Sequence, residues 1–256
     1  MRVAVAQVGS VAGDVEANVR TAVRAVEDAE GAELLVLPEL VLTGYALPPP
    51  VIAADDERLA PLQAAAVAAG TVVLAGAAIA GEGRPTLSTL AFGGSDVRRV
   101  YDKQHLSGDE QHHFVAGEAG TLLDLTSGPV GLATCYDTSF PEHGRAAADA
   151  GAVLYAASIA FYAGSEHRRD LYTRARALDN GFFVAVGALL GECGGARFCG
   201  GAAIHDPEGR TVAAVPEGEA GVAVAELDLD LVVTTRGLHP MLAERRPLPE
   251  VRRSRV

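Results

Sequence analysis

The chain has 256 residues, of which 49% are hydrophobic, and this is enough apolar material for one large α/β domain with a well-buried core. Its 33 acidic and 21 basic residues give a formal net charge of −12, which disfavours nucleic acid and anionic membranes as partners. Three cysteines are a sparse and odd set for a disulfide framework, so a reducing, cytoplasmic location is expected. The sequence shows neither a secretory leader nor a membrane span.

Short runs rich in Val, Ile, Leu and Ala recur along the chain between Gly, Pro or Asp residues. Such runs predict strands that are buried on both faces. In chain order they are VAVAQV, LLVLP, TVVLAGAAI, LSTLAFG, VGLATC, AVLYAAS, FFVAVGALL, AAIHD and VAVAEL. The neighbouring runs 71–80 and 86–93 have the spacing of a hairpin.

Helical patterns separate several of these strands. Capping residues and glycines predict four helices, which run from Asp14 to Gly31, over 57–69, from Pro141 to Gly151, and from Ser165 to Gly181. More strands than helices indicates a mixed sheet, or two sheets between helical layers. We therefore predict a single α/β domain over residues 1–243.

The last residues, 244–256, contain five arginines and two prolines with little to bury. This composition predicts a loosely packed tail. The alternative is an arm laid over a second subunit.

Three chemically complementary side chains fall just after predicted strands. Glu39 follows LLVLP, Lys103 follows a strand that ends at Tyr101, and Cys135 closes GPVGLATC. The carboxyl ends of strands in α/β sheets form the crevice where ligands bind. We therefore expect these three residues to share one site.

Lys103 is the only lysine in a chain whose other basic residues are all arginine. A lone lysine can be a solvated loop residue without a role. The alternative is a position that needs a compact, tunable ammonium, which a planar guanidinium cannot supply.

Glu39 and Cys135 also have two interpretations each. Glu39 is either a solvated turn residue or, among its apolar neighbours, a desolvated carboxylate whose raised pKa suits a proton acceptor. Cys135 is either a small buried hydrophobe or a nucleophile, whose thiolate the following helix and a nearby cation would favour. Cys193 and Cys199 lack the second ligand pair of a zinc site, so we interpret them as structural.

Together the three groups suit nucleophilic catalysis on an electrophilic carbon. Glu39 would accept the thiol proton, Cys135 would attack, and Lys103 would stabilise the developing oxyanion. Glu110, seven residues after Lys103, is either surface charge or a second carboxylate that orients the lysine or the substrate.

The segments that carry these residues resemble the motifs of the carbon-nitrogen hydrolase (nitrilase) superfamily. LPELVLTGY is similar to its glutamate motif, YDKQHLSGDEQHHFVAG to its lysine motif and GLATCYDTSFPE to its nucleophile motif. ARALDNGFFVAVG and FCGGAAIHDPEGR match as well, so the resemblance extends in order to about residue 230. One departure is Ala202, where family members often have Ser, so a supporting hydrogen bond is missing or replaced.

The resemblance implies a nitrilase-like, four-layer α-β-β-α sandwich that pairs into homodimers or larger homo-oligomers. It implies hydrolysis through a cysteine thioester, with no cofactor and no metal. Glu39 matches the general base, Lys103 the oxyanion stabiliser, Cys135 the nucleophile and Glu110 the supporting glutamate. By analogy, the backbone amide of Tyr136 would be a second oxyanion donor.

The substrate class is narrowed by what the sequence lacks. True nitrilases tend to be longer and to have Cys-Trp-Glu, whereas this chain has Cys135-Tyr136-Asp137 and no tryptophan. We therefore expect hydrolysis of a small primary amide to a carboxylate and ammonia, with water as co-substrate. Loops after strands near the cysteine predict a substrate pocket formed by Tyr45, His112, Tyr136, Ala160 and Phe161.

Several alternatives stay open at this stage. An N-carbamoyl-amine hydrolase would hold a substrate carboxylate with arginines, and Arg168, Arg169, Arg174 and Arg176 lie on one predicted helix, although a solvated or subunit-facing surface is the simpler interpretation of them. A nitrilase and a non-catalytic binding member of the fold are further alternatives. A metal hydrolase would use Asp109, His112 and His113, which lack a standard ligand spacing. A Cys-His dyad would use His105 or His143, which we interpret as structural.

Overall fold

The computed structural model describes residues 1–29, 31–247, 250 and 252–254. Its strands are β1 (Arg2–Val8), β2 (Leu34–Val36), β3 (Val72–Ile79), β4 (Thr86–Phe92), β5 (Arg98–Asp102), β6 (Leu122–Leu125), β7 (Gly128–Thr134), β8 (Leu154–Ile159), β9 (Phe183–Cys193), β10 (Ala196–Cys199), β11 (Ala203–His205), β12 (Thr211–Ala214) and β13 (Gly221–Glu226). Its helices are α1 (Val15–Asp28), α2 (Ala60–Ala69), α3 (Glu110–His113), α4 (Pro141–Asp149), α5 (Glu166–Asn180) and α6 (Asp230–Leu238), and Glu57–Leu59, Cys135–Ser139 and Pro240–Leu242 form 3-10 helices.

The strands form two six-stranded halves that are joined at one corner. The first half has the order β5-β4-β3-β2-β1-β13, and the second has the order β6-β7-β8-β9-β11-β12. Pairing of Gln7 with Ala188 and of Val8 with Leu189 joins β1 to β9, and β10 extends β9 as a hairpin. β3 and β4 are antiparallel over Val73–Ile79, which confirms the predicted hairpin.

The two halves face each other and bury an apolar core between them. β2 contacts β8 and β9 without pairing with them. Leu34 and Val36 of the first half share this core with Tyr155, Val184 and Val186 of the second. Burial on both faces of each half therefore explains why the strands appear in the sequence as continuous apolar runs.

Helices cover the outer faces of both halves. Val19 of α1 and Leu62 of α2 pack on the outward side chains of β2 and β3, including Leu35 and Val73. On the other side, α4 and α5 contact each other and lie on β7 and β9. The order of layers is helices, sheet, sheet, helices, which confirms the predicted α-β-β-α sandwich.

The helix signals in the sequence are largely confirmed. Asp14 caps α1 by accepting a 2.9 Å hydrogen bond from the amide of Ala17, and Pro141 occupies the first turn of α4. Gly181 ends α5 in the left-handed conformation. The boundary at Gly31 was wrong, because α1 ends three residues earlier, at Asp28. The predicted helix over 57–69 begins with a 3-10 turn before α2.

The domain boundary at residue 243 stays a prediction. The predicted tail, 244–256, includes residues 248, 249, 251, 255 and 256, which lie outside the described residues. In the described part of the chain, no helix combines the length and the apolar character that crossing a bilayer requires.

Candidate active site

Glu39 lies in the turn that follows β2, and its side chain is fully buried. The turn lies directly on β3, where the amide of Leu42 donates to the carbonyl of Gly76 at 3.0 Å. A Cβ atom on Gly76 would collide with the backbone nitrogen of Leu40, so only glycine allows this approach. The position of Glu39 is therefore set by backbone packing against the neighbouring strand.

Lys103 directly follows β5, and its backbone amide donates to the carbonyl of Leu87 at 2.9 Å. Its ammonium is buried and donates to Glu39 Oε1 at 2.7 Å. The same Nζ atom donates to both carboxylate oxygens of Glu110 at 2.8 Å. One buried amine thus joins two buried carboxylates.

The two glutamates differ in how many of their carboxylate oxygens already accept hydrogen bonds. Glu110 Oε1 also accepts from the hydroxyl of Tyr45 at 2.7 Å, and Oε2 accepts from the amide of Ser107 at 2.7 Å. Among the described residues, no N–H or O–H group donates to the buried Oε2 atom of Glu39, and a hydrogen bond from the Cys135 thiol lowers the pKa of this carboxylate. Glu39 therefore has an oxygen available to accept a proton, whereas both oxygens of Glu110 are occupied.

Cys135 is the first residue of the 3-10 helix that follows β7, and its φ of 41° lies in the left-handed region. A non-glycine residue is held in this conformation only when its surroundings enforce it, and such residues cluster at functional sites. The hydroxyl of Thr138 donates to the Cys135 carbonyl at 2.7 Å and closes the turn. The amide of Tyr136, in the first turn of the helix, has no acceptor within that helix.

Burial is the largest single influence on the pKa of Glu39, of Cys135 and of Lys103. It raises the pKa of Glu39 to about 7, against the opposing effect of the Lys103 ammonium, and Glu110 adds to the rise. Burial also raises the pKa of the Cys135 thiol well above its usual range, and the charge of Glu39 acts in the same direction. Burial would lower the pKa of Lys103, but Glu39 and Glu110 outweigh it and raise that pKa.

The rise in the Glu39 pKa confirms the effect predicted from its apolar flanks. The charge of Lys103 lowers the pKa of the Cys135 thiol, as expected of a nearby cation, but desolvation and the charge of Glu39 outweigh it. The thiol beside the Glu39 carboxylate therefore stays protonated until a base accepts its proton.

A cavity of about 130 Å³ opens above these groups. Lys103, Glu110 and Cys135 line it, and so do four of the five residues predicted to bind substrate, which are Tyr45, Tyr136, Ala160 and Phe161. The fifth, His112, is exposed on α3 and is not among the lining residues. Glu110 is the residue of α3 that is buried and lines the cavity, and His112, two residues further on, lies about 200° away around the helix and is therefore exposed.

The sequence analysis missed part of the cavity wall. The further lining residues are Ser107, Ser139, Tyr162, Ser165, Arg168 and Tyr172. Four of them belong to the segment from the end of β8 into α5, and Phe161, from the same segment, was the available signal. The ring of Tyr162 stacks on Phe198 of β10 with centroids 5.2 Å apart, so the β9–β10 hairpin supports this wall from behind.

Of the four arginines on α5, only Arg168 lines the cavity. Arg169 and Arg176 are buried and donate to backbone carbonyls, so a solvated or subunit-facing position was wrong for both. Arg174 donates to the carbonyl of Gly209 at 2.8 Å. Arg168 donates to the hydroxyl of Ser165 at 3.0 Å and has no carboxylate partner among the described residues.

The described residues form neither the metal site nor the Cys-His dyad that the sequence left open. Within the described ranges, no group of three or more His, Cys, Asp or Glu side chains is arranged to hold a metal ion. His105 contacts Asp137, and His143 contacts two tyrosine hydroxyls, so neither ring forms a dyad with Cys135. Cys193 is buried and accepts from the amide of Tyr45 at 3.2 Å, which fits the structural interpretation.

Ala202, the position where a serine was expected, is fully buried. Its amide donates to the side-chain oxygen of Gln7 at 3.0 Å. The nitrogen of the same side chain donates to the carbonyls of Pro216 and Glu219 at 3.0 and 2.7 Å. The Gln7 carboxamide therefore supports this segment through backbone groups.

An α-β-β-α sandwich that places a buried carboxylate, a buried amine and a partly exposed thiol beside one cavity has the groups of a hydrolase with a cysteine nucleophile. The carbon-nitrogen hydrolase family model matches residues 2–237, and the chain belongs to this family.

Relatives with described activities include amidases. An (R)-stereoselective amidase from Pseudomonas sp is 30% identical over 255 residues, which are 96% of this chain and 92% of that protein. A Pseudomonas protegens protein described as a hydrolase in the pqqF 5′ region is 33% identical over 96% of this chain and 90% of its own length.

Solved structures of the Nesterenkonia AN1 amidase, from the nitrilase superfamily, are similar to the whole fold. One of its mutants superimposes with a TM-score of 0.81 at 28% identity, covering 94% of this chain and 96% of that chain. Another structure of that amidase shows acrylamide added to the active-site cysteine, and a third is a complex with butyramide.

Proposed function

We propose that this chain hydrolyses a small primary amide to a carboxylate and ammonia through a thioester on Cys135. The observation that carries the proposal is the ammonium of Lys103, which binds Glu39 and Glu110 at the floor of the cavity that Cys135 lines. The cavity volume of about 130 Å³ suits a short acyl group. The amides in the structures of the Nesterenkonia amidase are also small.

In the first half of the reaction, Glu39 accepts the thiol proton through its free oxygen. The sulfur attacks the amide carbon, and the oxyanion that forms is stabilised by the Lys103 ammonium and by the amide of Tyr136. Glu39 then returns the proton to the leaving nitrogen, the carbon–nitrogen bond breaks, and ammonia leaves. The products of this half are the Cys135 thioester and ammonia.

In the second half, water attacks the thioester carbon. Glu39 accepts a proton from the water, the same two donors stabilise the second oxyanion, and the sulfur leaves with that proton. The carboxylic acid and the free thiol result, and the acid then loses its remaining proton to solvent to give the carboxylate, so atoms and charges balance. A base whose pKa is close to 7 is suited to both steps, because it can accept and return a proton near neutral pH.

Glu110 has a different part in this proposal. Both its oxygens accept hydrogen bonds from Lys103, Tyr45 and Ser107, so it holds the ammonium in place and takes no proton. The hydroxyl of Tyr45 is bound to Glu110, which leaves its ring as a wall of the cavity.

The proposal is tested by brief exposure of the protein to a panel of small primary amides. We expect ammonia release and an acyl adduct on Cys135 by mass spectrometry, and neither with Cys135→Ala. A protein that gives neither adduct nor ammonia with any amide, yet binds them, would be a non-catalytic member of the fold. Loss of activity with a chelator would indicate a metal hydrolase.

One observation favours a second candidate substrate class, which is an amide or N-carbamoyl compound that carries a carboxylate. Arg168 lines the cavity, and its guanidinium has no acidic partner in the described part of the chain. A monoamide of a dicarboxylic acid and the matching uncharged amide, compared in the same panel, separate the two candidates. N-Carbamoyl amino acids and nitriles complete the panel.

We also propose that the protein forms a homo-oligomer through its outer helices. α5 and α6 expose large apolar side chains, with exposed fractions of 67% for Leu171, 73% for Val233 and 72% for Leu238. Exposed apolar groups on one side of a fold are typical of subunit interfaces. Analytical ultracentrifugation of the protein and of Leu171→Asp is the direct test, and a monomeric wild-type protein would refute it.

A further inference from the structure

Asp137 lies two residues after Cys135 and does not line the cavity, yet it is fully buried. Its Oδ2 atom accepts from the amide of Thr134 at 2.9 Å and from the hydroxyl of Tyr101 at 2.7 Å. Its Oδ1 atom accepts from the amide of His105 at 2.9 Å and contacts His105 Nδ1 at 2.9 Å. One carboxylate therefore binds four groups from two separate segments of the chain.

These four groups surround the two segments that carry the reacting groups. Thr134 directly precedes Cys135, whereas Tyr101 and His105 lie two residues before and two residues after Lys103. The Lys103 segment and the Cys135 segment come from different halves of the sandwich, β5 and β7, and those strands do not pair. The Asp137 carboxylate hydrogen-bonds both segments at once and so connects them.

We infer that Asp137 is a positioning residue for amide hydrolysis, because its carboxylate fixes the Lys103 segment against the left-handed Cys135 turn and so sets the distance between the ammonium and the sulfur. This inference rests on the proposed function. It assigns the residue a part in the reaction although its side chain touches neither substrate nor sulfur.

The Cys135 turn needs such support. A φ of 41° at a non-glycine residue is a strained conformation that persists only if the surroundings enforce it. The bond from Thr134 to Asp137 holds the residue immediately before this strained position. The ring of His105 stacks on Phe140 at 3.8 Å, on the far side of the same turn, and holds it from the other end.

A chain of hydrogen bonds determines which group donates and which accepts between Tyr101, Asp137 and His143. An ionised Asp137 only accepts, so the Tyr101 hydroxyl donates to it, and its oxygen then accepts from His143 Nε2 at 2.9 Å. His143 Nδ1 in turn accepts from the hydroxyl of Tyr155 at 2.7 Å. This order assigns the neutral tautomer with its proton on Nε2, and burial of His143 lowers its pKa and favours the neutral ring.

Asparagine cannot replace Asp137 in this arrangement. The amides of Thr134 and His105 are both fixed donors, and each points at a different oxygen of the carboxylate. An asparagine has one oxygen and one NH₂ group, so its NH₂ must face one of these two N–H groups. The Tyr101 hydroxyl and the His105 ring can reorient, but a backbone amide cannot.

The test compares Asp137→Asn with Asp206→Asn. Asp206 is a buried aspartate whose Oδ1 accepts from the amides of Glu208 and Arg210 in the β11–β12 turn, far along the chain from the cavity segments. We expect kcat for the best amide to fall by about 10²-fold in Asp137→Asn, as for a misplacement of about 1 Å, with KM within about threefold of wild type. Asp206→Asn should leave kcat unchanged, and Asp137→Glu, which keeps a carboxylate, should recover part of the loss.

A second readout does not depend on amide turnover. The rate at which iodoacetamide alkylates Cys135, followed by mass spectrometry, should fall by about tenfold or more in Asp137→Asn and not in Asp206→Asn, because the thiol loses its alignment with Glu39. If the wild-type protein is alkylated at Cys135 but hydrolyses no amide, the proposed function fails and the positioning role is still decided by this rate.

The role is refuted if a folded Asp137→Asn protein keeps both rates within about threefold of wild type, or if Asp206→Asn lowers them equally. It is also refuted if the loss lies entirely in KM. If Asp137→Asn does not fold, Tyr101→Phe decides, since it removes one of the four groups and leaves the carboxylate buried and bound. We expect that variant to lose kcat by several-fold with unchanged KM, and an unchanged kcat would refute the role.

Discussion

Replacement of Lys103 by arginine tests why the only lysine of the chain lies where it does. The ammonium is fully buried and makes three hydrogen bonds of 2.7 to 2.8 Å to Glu39 and Glu110. Arginine keeps the positive charge, but its side chain brings two more heavy atoms between Glu39, Glu110 and the floor of a cavity of only about 130 Å³. Overpacking of this kind costs about 1–3 kcal/mol. In a domain of this size we expect Tm to fall by about 2–4 °C for each kcal/mol.

The effect on catalysis should be larger than the effect on stability. Each guanidinium nitrogen carries at most two hydrogens, all in one plane, so no single nitrogen can donate to both carboxylates and to an oxyanion as the ammonium can. Loss of one oxyanion donor typically lowers kcat by about 10²–10³-fold, or about 2.7–4 kcal/mol. We therefore expect kcat of Lys103→Arg to fall by about that factor, measured by steady-state ammonia release, while differential scanning calorimetry reports the change in Tm.

Arg98→Lys is the matched control, since it makes the reverse exchange at an exposed position outside the cavity. It should change neither kcat nor Tm by a measurable amount. A folded Lys103→Arg enzyme whose kcat lies within about tenfold of wild type would refute the argument, because the charge alone would then suffice.

Two further predictions concern the proposed base and the cavity wall. Glu39 must be ionised to accept a proton, and its pKa is raised to about 7, so log kcat/KM should decrease as the pH falls below about 7. Glu39→Gln should lower kcat by about 10²–10⁴-fold and should abolish this decrease at acid pH. An acid limb near 4.5, the ordinary value, would contradict the burial argument. Arg168→Gln should lower kcat/KM for a carboxylate-bearing amide by up to about fivefold, since an exposed ion pair contributes about 1 kcal/mol or less, and leave the matching uncharged amide unaffected. Arg174→Gln, on the same helix but away from the cavity, is its control, and an equal loss on both amides would assign Arg168 a structural role.

The parts of the fold that the sequence predicted are those with strong local signals. Continuous apolar runs marked nine strands, since both faces of each half of the sandwich are covered. The strands β6, β10 and β12 were not predicted, because they are short and half-exposed and therefore lack such a run. α3 has only four residues, and α6 exposes Val233 and Leu238, so neither shows a clean amphipathic period.

In the site, too, the residues with strong local sequence signals were predicted and those placed by tertiary contacts were not. Glu39, Lys103 and Cys135 were predictable because each lies within three residues of the end of a strand and each is chemically unusual in its segment. Arg168 and Tyr172 were missed as cavity residues because their approach depends on how α5 lies against the 3-10 helix of Cys135, which is a tertiary property. The net direction of the Cys135 pKa was not predictable, because a single sequence shows the nearby cation but not the desolvation of the thiol, and desolvation is the larger effect.

The cost of the buried charges explains why the site requires so much support. Lys103, Glu39 and Glu110 are all removed from water, and an ion cluster of this kind gives no net stability over apolar side chains of similar volume. Removal of one member, in contrast, leaves an uncompensated charge and costs about 3–5 kcal/mol. The fold therefore tolerates the cluster only as a complete set, in which Tyr45 and Ser107 satisfy Glu110 and backbone packing holds Glu39. The oxygen that this set leaves without a donor, Glu39 Oε2, is the one that the proposed reaction requires to be free.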